Sequence, residues 1–238
     1  MEKDFIVVGV ISSPRPGGNT AAMVREALKG AEDEGAVIRE IFLPDIKMGF
    51  CQGCLTCMKN GKCYMDDGFN GLRDTLREAD GIIWGSPTYA ANVNAMMKNL
   101  IDRLGMLEVS TSSLGGKYMA GISAANSAGA ARKVAASLAR FGNGGTFSRS
   151  YNSGHLGEGF SGGRKAGEEK TVLARARKLG RKVARDIKNE EKYTFQSIPG
   201  RIFSSLIMKP AFSKYIKANK EGDAKIMYES LKARNLID

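Results

Sequence analysis

All four cysteines of this chain lie within one short segment, CQGCLTCMKNGKC, at positions 51–63. Two, two and five residues separate them, and the four are Cys51, Cys54, Cys57 and Cys63. Thiol groups at such short spacing can hold a zinc ion or an iron–sulfur cluster, or can pair as disulfides. The segment is therefore the first candidate for a metal or redox site.

Of these three chemistries, the spacing favours an iron–sulfur cluster. A structural zinc ion typically uses two separated C-x2-C pairs, whereas here three cysteines stand together and the fourth follows later. A tight C-x2-C-x2-C loop can place thiolates at three corners of a cubane, and Gly53 and Gly61 help the backbone to bend around it. Disulfides are rare in reducing compartments. We expect a cytoplasmic protein, because the N-terminal segment MEKDFIVVGV is a poor signal peptide.

A second candidate site is the segment SSPRPGGNT, residues 12–20, between a strand-like apolar run and a helical pattern. Such a turn directs free backbone N–H groups and the positive end of a helix to one spot, which suits an anion. The side chains that add donors are Ser12, Ser13, Arg15, Asn19 and Thr20. The segment matches neither G-x-x-x-x-G-K-[ST] nor G-x-G-x-x-G, so a plain helix cap is the alternative.

A third candidate is the segment SPTYAAN, residues 86–92, at the end of another apolar run. Pro87, Thr88 and Tyr89 offer a rigid turn, a hydroxyl group and a flat ring. A planar ring system that carries a phosphate would fit between this segment and residues 12–20. The small-residue segment SAANSAG, which begins at Ser123, ends a further strand-like run.

These loops need a scaffold that brings them together, and the pattern of the chain predicts one. Strand-like runs alternate with helical patterns five times, which indicates an α/β protein with a doubly wound, five-stranded parallel sheet. The predicted strands are residues 5–11, 36–45, 81–89, 117–123 and 145–151. In such sheets, ligands bind beyond the carboxyl ends of the strands, where the strand order reverses. The three loops leave those ends.

The segments SSPRPGGNT and GSPTYAANVNAMMKNLIDR resemble the flavin mononucleotide (FMN) loops of the flavodoxin-like NAD(P)H-dependent FMN reductases. The resemblance covers roughly residues 4–185 and implies a flavin-dependent oxidoreductase. It implies that Ser12, Arg15, Asn19 and Thr20 hold the flavin phosphate, and that Pro87, Thr88, Tyr89 and Asn92 lie beside the isoalloxazine ring. Ser13 and Ser123 complete the candidate FMN-binding set.

The cysteine spacing, C-x2-C-x2-C-x5-C, resembles that of the iron–sulfur flavoproteins, a branch of the same group. This resemblance implies that Cys51, Cys54, Cys57 and Cys63 hold a [4Fe-4S] cluster that passes electrons to FMN, commonly across a subunit interface. It suggests reduced ferredoxin as the donor, a small molecule as the acceptor, and a homo-oligomer, either dimer or tetramer. Related reductases carry similar loops without a cluster, so an NAD(P)H-dependent FMN or quinone reductase is the alternative function, and zinc is a further one.

The net charge of +11 also bears on partners. Much of the excess lies between Arg164 and Lys188, where apolar residues recur at helical spacing. This pattern predicts a surface helix with one buried face, and we expect no nucleic acid partner, although a docking surface for an acidic electron carrier fits the charge too. No apolar run approaches the roughly 20 residues of a membrane-spanning helix.

Composition divides the chain into two predicted regions. Residues 1–189 form the flavodoxin-like FMN-binding domain, with the cysteine loop inserted at 49–65, and residues 190–238 form a C-terminal helical extension. The extension is rich in aromatic and basic residues, so it packs on the body or on a neighbouring subunit, or lies on a membrane surface. His155 is placed in the glycine-rich connection YNSGHLGEGFSGG, residues 151–163, as a solvated loop residue, and a lid near the cofactor is the alternative. Asp66 and Asp67 are expected to cap the following helix.

Overall fold

The computed structural model describes residues 4–143 and 145–238, so the first three residues of the predicted domain lie outside the described residues. Strands and helices alternate through the described part as the sequence predicts. The strands are β1 (Ile6–Ile11), β2 (Val37–Phe42), β3 (Gly81–Tyr89), β4 (Asn92–Val93), β5 (Tyr118–Ala125) and β6 (Tyr151–Gly159). The helices are α1 (Asn19–Glu32), α2 (Thr56–Asn60), α3 (Phe69–Glu78), α4 (Ala95–Thr111), α5 (Ala128–Ala139), α6 (Lys170–Lys188), α7 (Ile198–Phe203), α8 (Lys209–Ala218) and α9 (Lys225–Lys232).

In the described part of the chain, five strands form a parallel sheet in the order β2-β1-β3-β5-β6, and β4 pairs antiparallel with the end of β3. The predicted doubly wound parallel sheet is therefore confirmed. The strand order reverses at β1, which lies between β2 and β3. The carboxyl ends of β1 and β3 thus open the crevice in which such sheets bind ligands.

The sheet has an apolar core on each face, and β1 is therefore buried on both of its faces. Val7 and Ile11 pack with α1 and α6 on one face. Val8 and Val10 pack on the other with residues of α3, α4 and α5. This two-sided burial explains why the first strand reads as a continuous β-branched run rather than as an alternating pattern.

The last strand is where the sequence-based prediction is wrong. The prediction placed it at residues 145–151, whereas β6 runs from Tyr151 to Gly159 and pairs with β5 over that length. The strand is rich in glycine because α5 crosses it closely: a Cβ at Gly157 would lie 2.2 Å from the backbone nitrogen of Arg132. The exposed His155 accordingly lies on this edge strand and not in a connecting loop.

The basic helix α6 packs against α1 almost backbone to backbone. A Cβ at Gly180 would lie 1.7 Å from the carbonyl oxygen of Ala27, and one at Gly30 would lie 2.0 Å from that of Arg177. Around this contact, Arg177 and Arg181 bind Asp33. These guanidinium groups hold the pKa of Asp33 well below its usual range. Part of the basic face of α6 is therefore paired with α1, as a surface helix of the fold requires.

This contact gives a stability prediction with a control in another helix. Gly180→Ala should lower the free energy of unfolding by about 1–3 kcal/mol, because the added methyl group forces α1 and α6 apart. Gly71→Ala, at an exposed position of α3 with open space around it, should raise that free energy by about 0.5–1 kcal/mol through helix propensity. Urea unfolding measures both changes, and a stabilised Gly180→Ala protein would contradict the packing described here.

The C-terminal segment packs partly on the body of the protein. Helix α6 ends at Lys188, next to the predicted boundary at 189, and α7 continues through a π-helical turn, Ser204–Met208, into α8. Ile216, Met227 and Leu231 form an apolar cluster with Phe147, and Met58 of α2 packs against it. The extension thus contacts the cysteine segment directly. Among the helices described, none is long and apolar enough to cross a membrane.

Candidate functional site

A cavity of about 780 Å³ opens at the carboxyl edge of the sheet, within the size range of small-molecule sites. Four segments line it: the loops after β1 and β6, the carboxyl end of β3, and the end of β5 with the residue that follows it. The lining residues are Ser13, Arg15, Gly17, Gly18, Asn19, Thr20, Pro87, Thr88, Tyr89, Ala124, Ala125, Asn126, Phe160, Gly162, Gly163, Arg164 and Lys165. The topology therefore brings the first two predicted loops to one site, with segments of the third and of a fourth.

The end of the cavity beside α1 is suited to an anion. Helix α1 begins at Asn19, and its N-cap residue Gly18, being a glycine, has no side chain to bond the first backbone N–H groups. Arg15, Arg164 and Lys165 add positive charge. Within the described residues, Arg15 is part of no ion pair, whereas Arg164 and Lys165 bind acidic side chains nearby. Arg15 is thus the cation most available to a ligand.

Seven of the ten predicted FMN residues line this cavity: Ser13, Arg15, Asn19, Thr20, Pro87, Thr88 and Tyr89. The other three, Ser12, Asn92 and Ser123, lie outside the lining. The hydroxyl group of Ser12 donates to the carbonyl oxygen of Gly85, 3.1 Å away. The hydroxyl group of Ser123 forms a hydrogen bond of 2.8 Å with that of Thr88, so Ser123 holds a lining residue in position without lining the cavity itself. Asn92 accepts a hydrogen bond from the N–H of Val93.

Asn19 has a second contact that the sequence did not reveal. Its amide oxygen accepts a hydrogen bond from the N–H of Ala166 at 2.9 Å, and its amide nitrogen donates to the carbonyl oxygen of Arg164 at 3.4 Å. This side chain therefore fastens the loop after β6 to the start of α1. The sequence indicated residues 151–163 only as a glycine-rich connection, with a lid near the cofactor as the alternative, and Arg164 and Lys165 were missed because the last strand was placed too early. A correct strand would have put SGGRK at the same edge as the other loops.

A buried asparagine that was also missed joins the loops beneath the cavity. Asn94 is 4% exposed, and its amide nitrogen donates to the carbonyl oxygen of Ser12 at 2.6 Å. Its amide oxygen accepts from the N–H of Met97 at 3.1 Å, which caps α4. Its own N–H donates to the hydroxyl group of Ser86 at 3.0 Å. One side chain thus ties the loop after β1, the end of β3 and the start of α4 together.

Asn94→Ala should lower the free energy of unfolding by about 1–3 kcal/mol, since the carbonyl oxygen of Ser12 stays buried without its donor. Asn92→Ala makes the same chemical change two residues earlier, at an exposed position, and should shift that free energy by less than about 0.5 kcal/mol. Urea unfolding of the two variants measures the difference. If both substitutions change the free energy of unfolding by the same small amount, the network beneath the cavity contributes nothing to stability.

Tyr89 stands at the end of a tight hairpin formed by β3 and β4. The two turn residues, Ala90 and Ala91, have φ angles of 47° and 61°, a region that favours glycine or asparagine. Side chains are strained there, by about 1–3 kcal/mol in typical cases. The turn presents the half-exposed ring of Tyr89 at the rim of the cavity.

The cysteine segment forms a second, smaller site, fastened to α3 on one side. Cys51, Cys54, Cys57 and Cys63 all line one small cavity. The side chain of Asn70 bonds both the N–H and the carbonyl oxygen of Cys63, each at 2.9 Å. Asn70 and its neighbours in α3 therefore hold the last cysteine in place, while Cys51 and Cys54 are exposed.

Arg103 is the charged group of this second site. Its side chain is 1% exposed, it pairs with Asp67, and its Nη2 atom lies 3.0 Å from the sulfur of Cys63. Partial burial would raise the pKa of Asp67, but the hydrogen bonds from Arg103 and from the N–H of Gly49 outweigh it and lower that pKa. Asp67 thus anchors Arg103 and accepts a weak hydrogen bond from the N–H of Phe69 at 3.4 Å. The prediction that Asp66 and Asp67 cap α3 is wrong, because the N-cap residue is Gly68, which has no side chain to bond the first turn.

The thiol groups are close enough to influence one another. Burial raises the pKa of Cys57, and the negative charges of Cys63, Cys51 and Cys54 raise it further. Cys54 differs, because hydrogen bonds from Thr56 lower its pKa. Over residues 4–143 and 145–238, however, no three Cys, His, Asp or Glu side chains converge closely enough to hold a metal ion. The structure thus gathers the thiols at one cavity without arranging them as ligands.

The donor set can be tested for its fit to a cluster. Four thiols and a guanidinium group line the same cavity, and the Nε atom of Arg103 is buried without a hydrogen-bond partner in the described structure. A buried donor that lacks an acceptor is costly unless something else supplies one. Sulfide or thiolate sulfur would accept that hydrogen bond. The residues present therefore fit an iron–sulfur group in their chemistry.

The model of the NADPH-dependent FMN reductase family matches residues 6–152 of the chain. The chain belongs to this family. The predicted resemblance to the FMN reductases is thereby confirmed. The matched range contains the cavity loops after β1, β3 and β5 and the whole cysteine segment.

Curated relatives of this FMN reductase family member share one description. An iron–sulfur flavoprotein of Methanocaldococcus jannaschii is 44% identical over 97 residues, which are 41% of this chain and 50% of the relative. Iron–sulfur flavoproteins of Archaeoglobus fulgidus and Methanosarcina thermophila are 38% identical over 97 residues and 31% identical over 121 residues. These alignments cover 41% and 51% of this chain, and 44% and 63% of the relatives. The chain spans about half the length of the curated relatives it matches.

Solved structures confirm the fold of this family member. RosB, crystallised with 8-demethyl-8-formylriboflavin-5'-phosphate, is similar with a TM-score of 0.60 over 91% of this chain and 87% of that chain, at 14% identity. A flavodoxin-like WrbA-like protein of Agrobacterium tumefaciens has a TM-score of 0.52 over 79% of this chain and 99% of its own, at 18% identity. The predicted flavodoxin-like architecture is thus confirmed.

Proposed function

We propose that this protein binds FMN in the 780 Å³ cavity and passes electrons through it from a donor to a small acceptor. The observation that carries the proposal is the lining of that cavity. Loops predicted independently from their residues to bind a phosphate and a flat ring meet there, and the chain belongs to a family of FMN reductases. FMN, when bound, supplies the exchange of one or two electrons.

The residues of the cavity divide between the two ends of the ligand. Arg15 and the free N–H groups at the start of α1 would bind the phosphate, with Ser13 and Thr20 beside them. Pro87 and Tyr89 would lie along the ring system. The hydroxyl group of Ser123 donates to the carbonyl oxygen of Ser86, so that of Thr88 donates to Ser123 and would accept a hydrogen bond at the ring edge. Ser12, Asn92 and Ser123 would act from outside the lining, by shaping the loops.

We further propose that Cys51, Cys54, Cys57 and Cys63 hold a [4Fe-4S] cluster. The four thiols line one cavity, the unpartnered Nε atom of Arg103 lies beside them, and the curated relatives are named iron–sulfur flavoproteins. A positive group next to the sulfur atoms would stabilise the extra negative charge of the reduced state. Arg103 would therefore raise the reduction potential of the group that the thiols hold.

The two cavities share no lining residue among those described, and the cysteine cavity lies open to solvent at Cys51 and Cys54. This separation supports a homo-oligomer, in which the cysteine segment of one copy approaches the flavin cavity of another. It also supports a protein donor such as reduced ferredoxin, which needs an accessible point of entry. Dimer and tetramer both meet this requirement.

A second candidate function is an NAD(P)H-dependent FMN or quinone reductase without a cluster. One observation favours it: the cavity among the thiols measures only about 30 Å³, and no three ligating side chains converge within the described residues. Under this alternative the thiols would form a metal-free loop, and hydride would pass directly from the nicotinamide to the flavin.

Anaerobic purification followed by measurement of iron, acid-labile sulfide and flavin per chain tests the proposal. We expect one flavin with about four irons and four sulfides. We also expect reduced ferredoxin to bleach the flavin, and NADPH alone to do so slowly. One flavin without iron, bleached rapidly by NADPH, would establish the second function instead. Absence of bound flavin after reconstitution with FMN would overturn both.

A further inference from the structure

A separate cavity of about 480 Å³ lies between the body of the protein and the C-terminal extension. Arg140, Asn143 and residues 145–149 form one wall, and residues between Ser197 and Lys209 form the other. Its charged lining residues are Arg140, Arg149, Arg201 and Lys209, and its hydroxyl-bearing ones are Thr146, Ser148, Ser197, Ser204 and Ser205. The lining residues include no aspartate or glutamate in the described part of the chain. We call this the basic cavity.

The positive charge of the basic cavity is not neutralised by the protein. Among the described residues, none of its four cations takes part in an ion pair, and Arg149 donates only to backbone carbonyl oxygens, those of Lys192, Tyr193 and Gln196. Burial lowers the pKa of Arg149, and the nearby charge of Arg201 lowers it further. Cations held together in this way attract an anion, and guanidinium groups bind phosphate oxygens well.

A buried amide points to a ligand in the same place. Asn143 lines the basic cavity, is 8% exposed, and its amide oxygen has no hydrogen-bond partner in the described structure. A buried amide without a partner is costly. A ligand that offers a hydroxyl group beside its phosphate would satisfy it.

An apolar groove of about 370 Å³ continues from the basic cavity. Phe195, Ile198 and Ile202 line it, and it shares Arg201 and Ser205 with the basic cavity. The apolar surface extends along the helix beyond the groove, where Leu206 is 71% exposed and Phe203 and Ile207 are more than half exposed. The basic cavity thus adjoins an uncovered apolar surface. A ligand that matches both has an anionic head and a hydrocarbon chain.

We propose that the basic cavity and its groove bind an anionic phospholipid, so that the extension docks on an acidic membrane surface. The positive charge of the extension favours a phospholipid over the other possible occupants. From residue 192 to 220 the sequence contains Lys192, Arg201, Lys209, Lys214, Lys217 and Lys220 and no acidic residue. A second copy of the same surface would repel it, whereas an acidic bilayer offers opposite charge and an apolar interior. The inference is independent of the flavin and of the cysteine site.

Flotation of the full-length protein with lipid vesicles tests the proposal. We expect the protein to float with vesicles in which about a third of the phosphatidylcholine is replaced by phosphatidylglycerol, and not with phosphatidylcholine alone. Raising the salt concentration should weaken this binding. If the protein fails to float with the acidic vesicles, or floats equally with both compositions, the proposal is wrong.

Three double variants, one of them a control, identify the groups responsible. Arg201→Gln combined with Lys209→Gln should weaken binding to acidic vesicles roughly 25-fold, about fivefold for each cation. Lys170→Gln combined with Lys178→Gln removes the same charge from exposed positions of α6 and should leave binding nearly unchanged. Ile202→Ser combined with Leu206→Ser should weaken binding about tenfold or more without altering charge. All six positions are exposed, so the variants should fold.

The same variants separate the other possible occupants. If glycerol phosphate competes as well as vesicles bind, and the two serine substitutions have no effect, the cavity is a site for a soluble phosphate and not for a lipid. If the wild-type protein does not bind vesicles and the serine substitutions change its sedimentation coefficient, the surface is a contact between copies of the protein. Either result overturns the proposal.

Discussion

A protein in which alanine replaces Cys57 should be isolated without iron but with its flavin. Cys57 and Cys63 are the half-buried members of the set, and the other three thiols lie near enough to Cys57 to affect its ionisation. Three remaining thiolates cannot close a four-cornered cluster without a substitute ligand, and alanine offers none. We expect the iron content to fall from about four atoms per chain to almost none. The FMN cavity shares no described lining residue with this site, so the flavin should stay.

A matched control separates the thiol from the cavity around it. Tyr64 lines the same cavity, and its hydroxyl group bonds Gln52 at 2.6 Å. Tyr64→Phe disturbs this surface but leaves all four sulfur atoms, so its iron and sulfide contents should match those of the wild-type protein. Circular dichroism should show that both variants are folded. A Cys57→Ala protein that retains about four irons would mean that the cluster uses another set of ligands.

Loss of iron should also change how the flavin is reduced. If electrons enter at the cysteine segment, ferredoxin-dependent reduction of the flavin should fail in Cys57→Ala, whereas chemical reduction by dithionite should still succeed. This comparison uses the same flavin in the same cavity. An unchanged rate with ferredoxin would show that donors reach the flavin directly, which is the behaviour of a reductase without a cluster.

The sequence predicted the sheet well because strands that are buried on both faces are apolar along their whole length. β1, β3 and β5 carry long apolar or small-residue runs, and each ends in a polar loop. Since the carboxyl ends of parallel strands meet at one edge, the pattern of runs and loops is enough to bring the loops after β1 and β3 together. Arg15, Thr20 and Tyr89 are three cavity-lining residues that this rule predicts.

The last strand escaped prediction for a physical reason. β6 contains Gly154, Gly157 and Gly159 within nine residues, and such a segment has low intrinsic strand propensity. The glycines are needed because α5 lies so close to the strand that side chains there would collide with it. That requirement depends on a contact between two elements, which no local pattern records. The error at β6 then concealed that Arg164 and Lys165 reach the cavity.

Other functional contacts are equally non-local. Asn94 bonds Ser12, and Arg103 contacts the sulfur of Cys63, across 82 and 40 residues of sequence. Both residues lie in or beside α4, in a segment that reads as an ordinary amphipathic helix. The sequence predicted which residues bear reactive groups, but these two buried side chains, which hold the loops in position, became apparent only from the packing.

Arg15→Gln should weaken FMN binding by about ten- to a hundredfold, and should leave riboflavin binding almost unchanged. Arg15 lies beside the start of α1 and, within the described residues, is part of no ion pair. A hydrogen bond to a charged group typically contributes about 1.5–3 kcal/mol, which corresponds to that range of affinity. Riboflavin has the same ring but no phosphate, so it cannot lose this interaction. Titration of the apoprotein with each flavin, followed by fluorescence, measures both.

The pair of ligands makes the result specific to the phosphate end of the cavity. Arg39→Gln removes a guanidinium group from β2, outside the cavity, where its ion pair with Glu78 is solvent-exposed and contributes little. Binding of both flavins should be unaffected in that variant. If Arg15→Gln weakens FMN and riboflavin equally, the loop after β1 contacts the ring or its position in the fold has changed. The phosphate would then have to bind away from Arg15, and the orientation proposed here for FMN would be wrong.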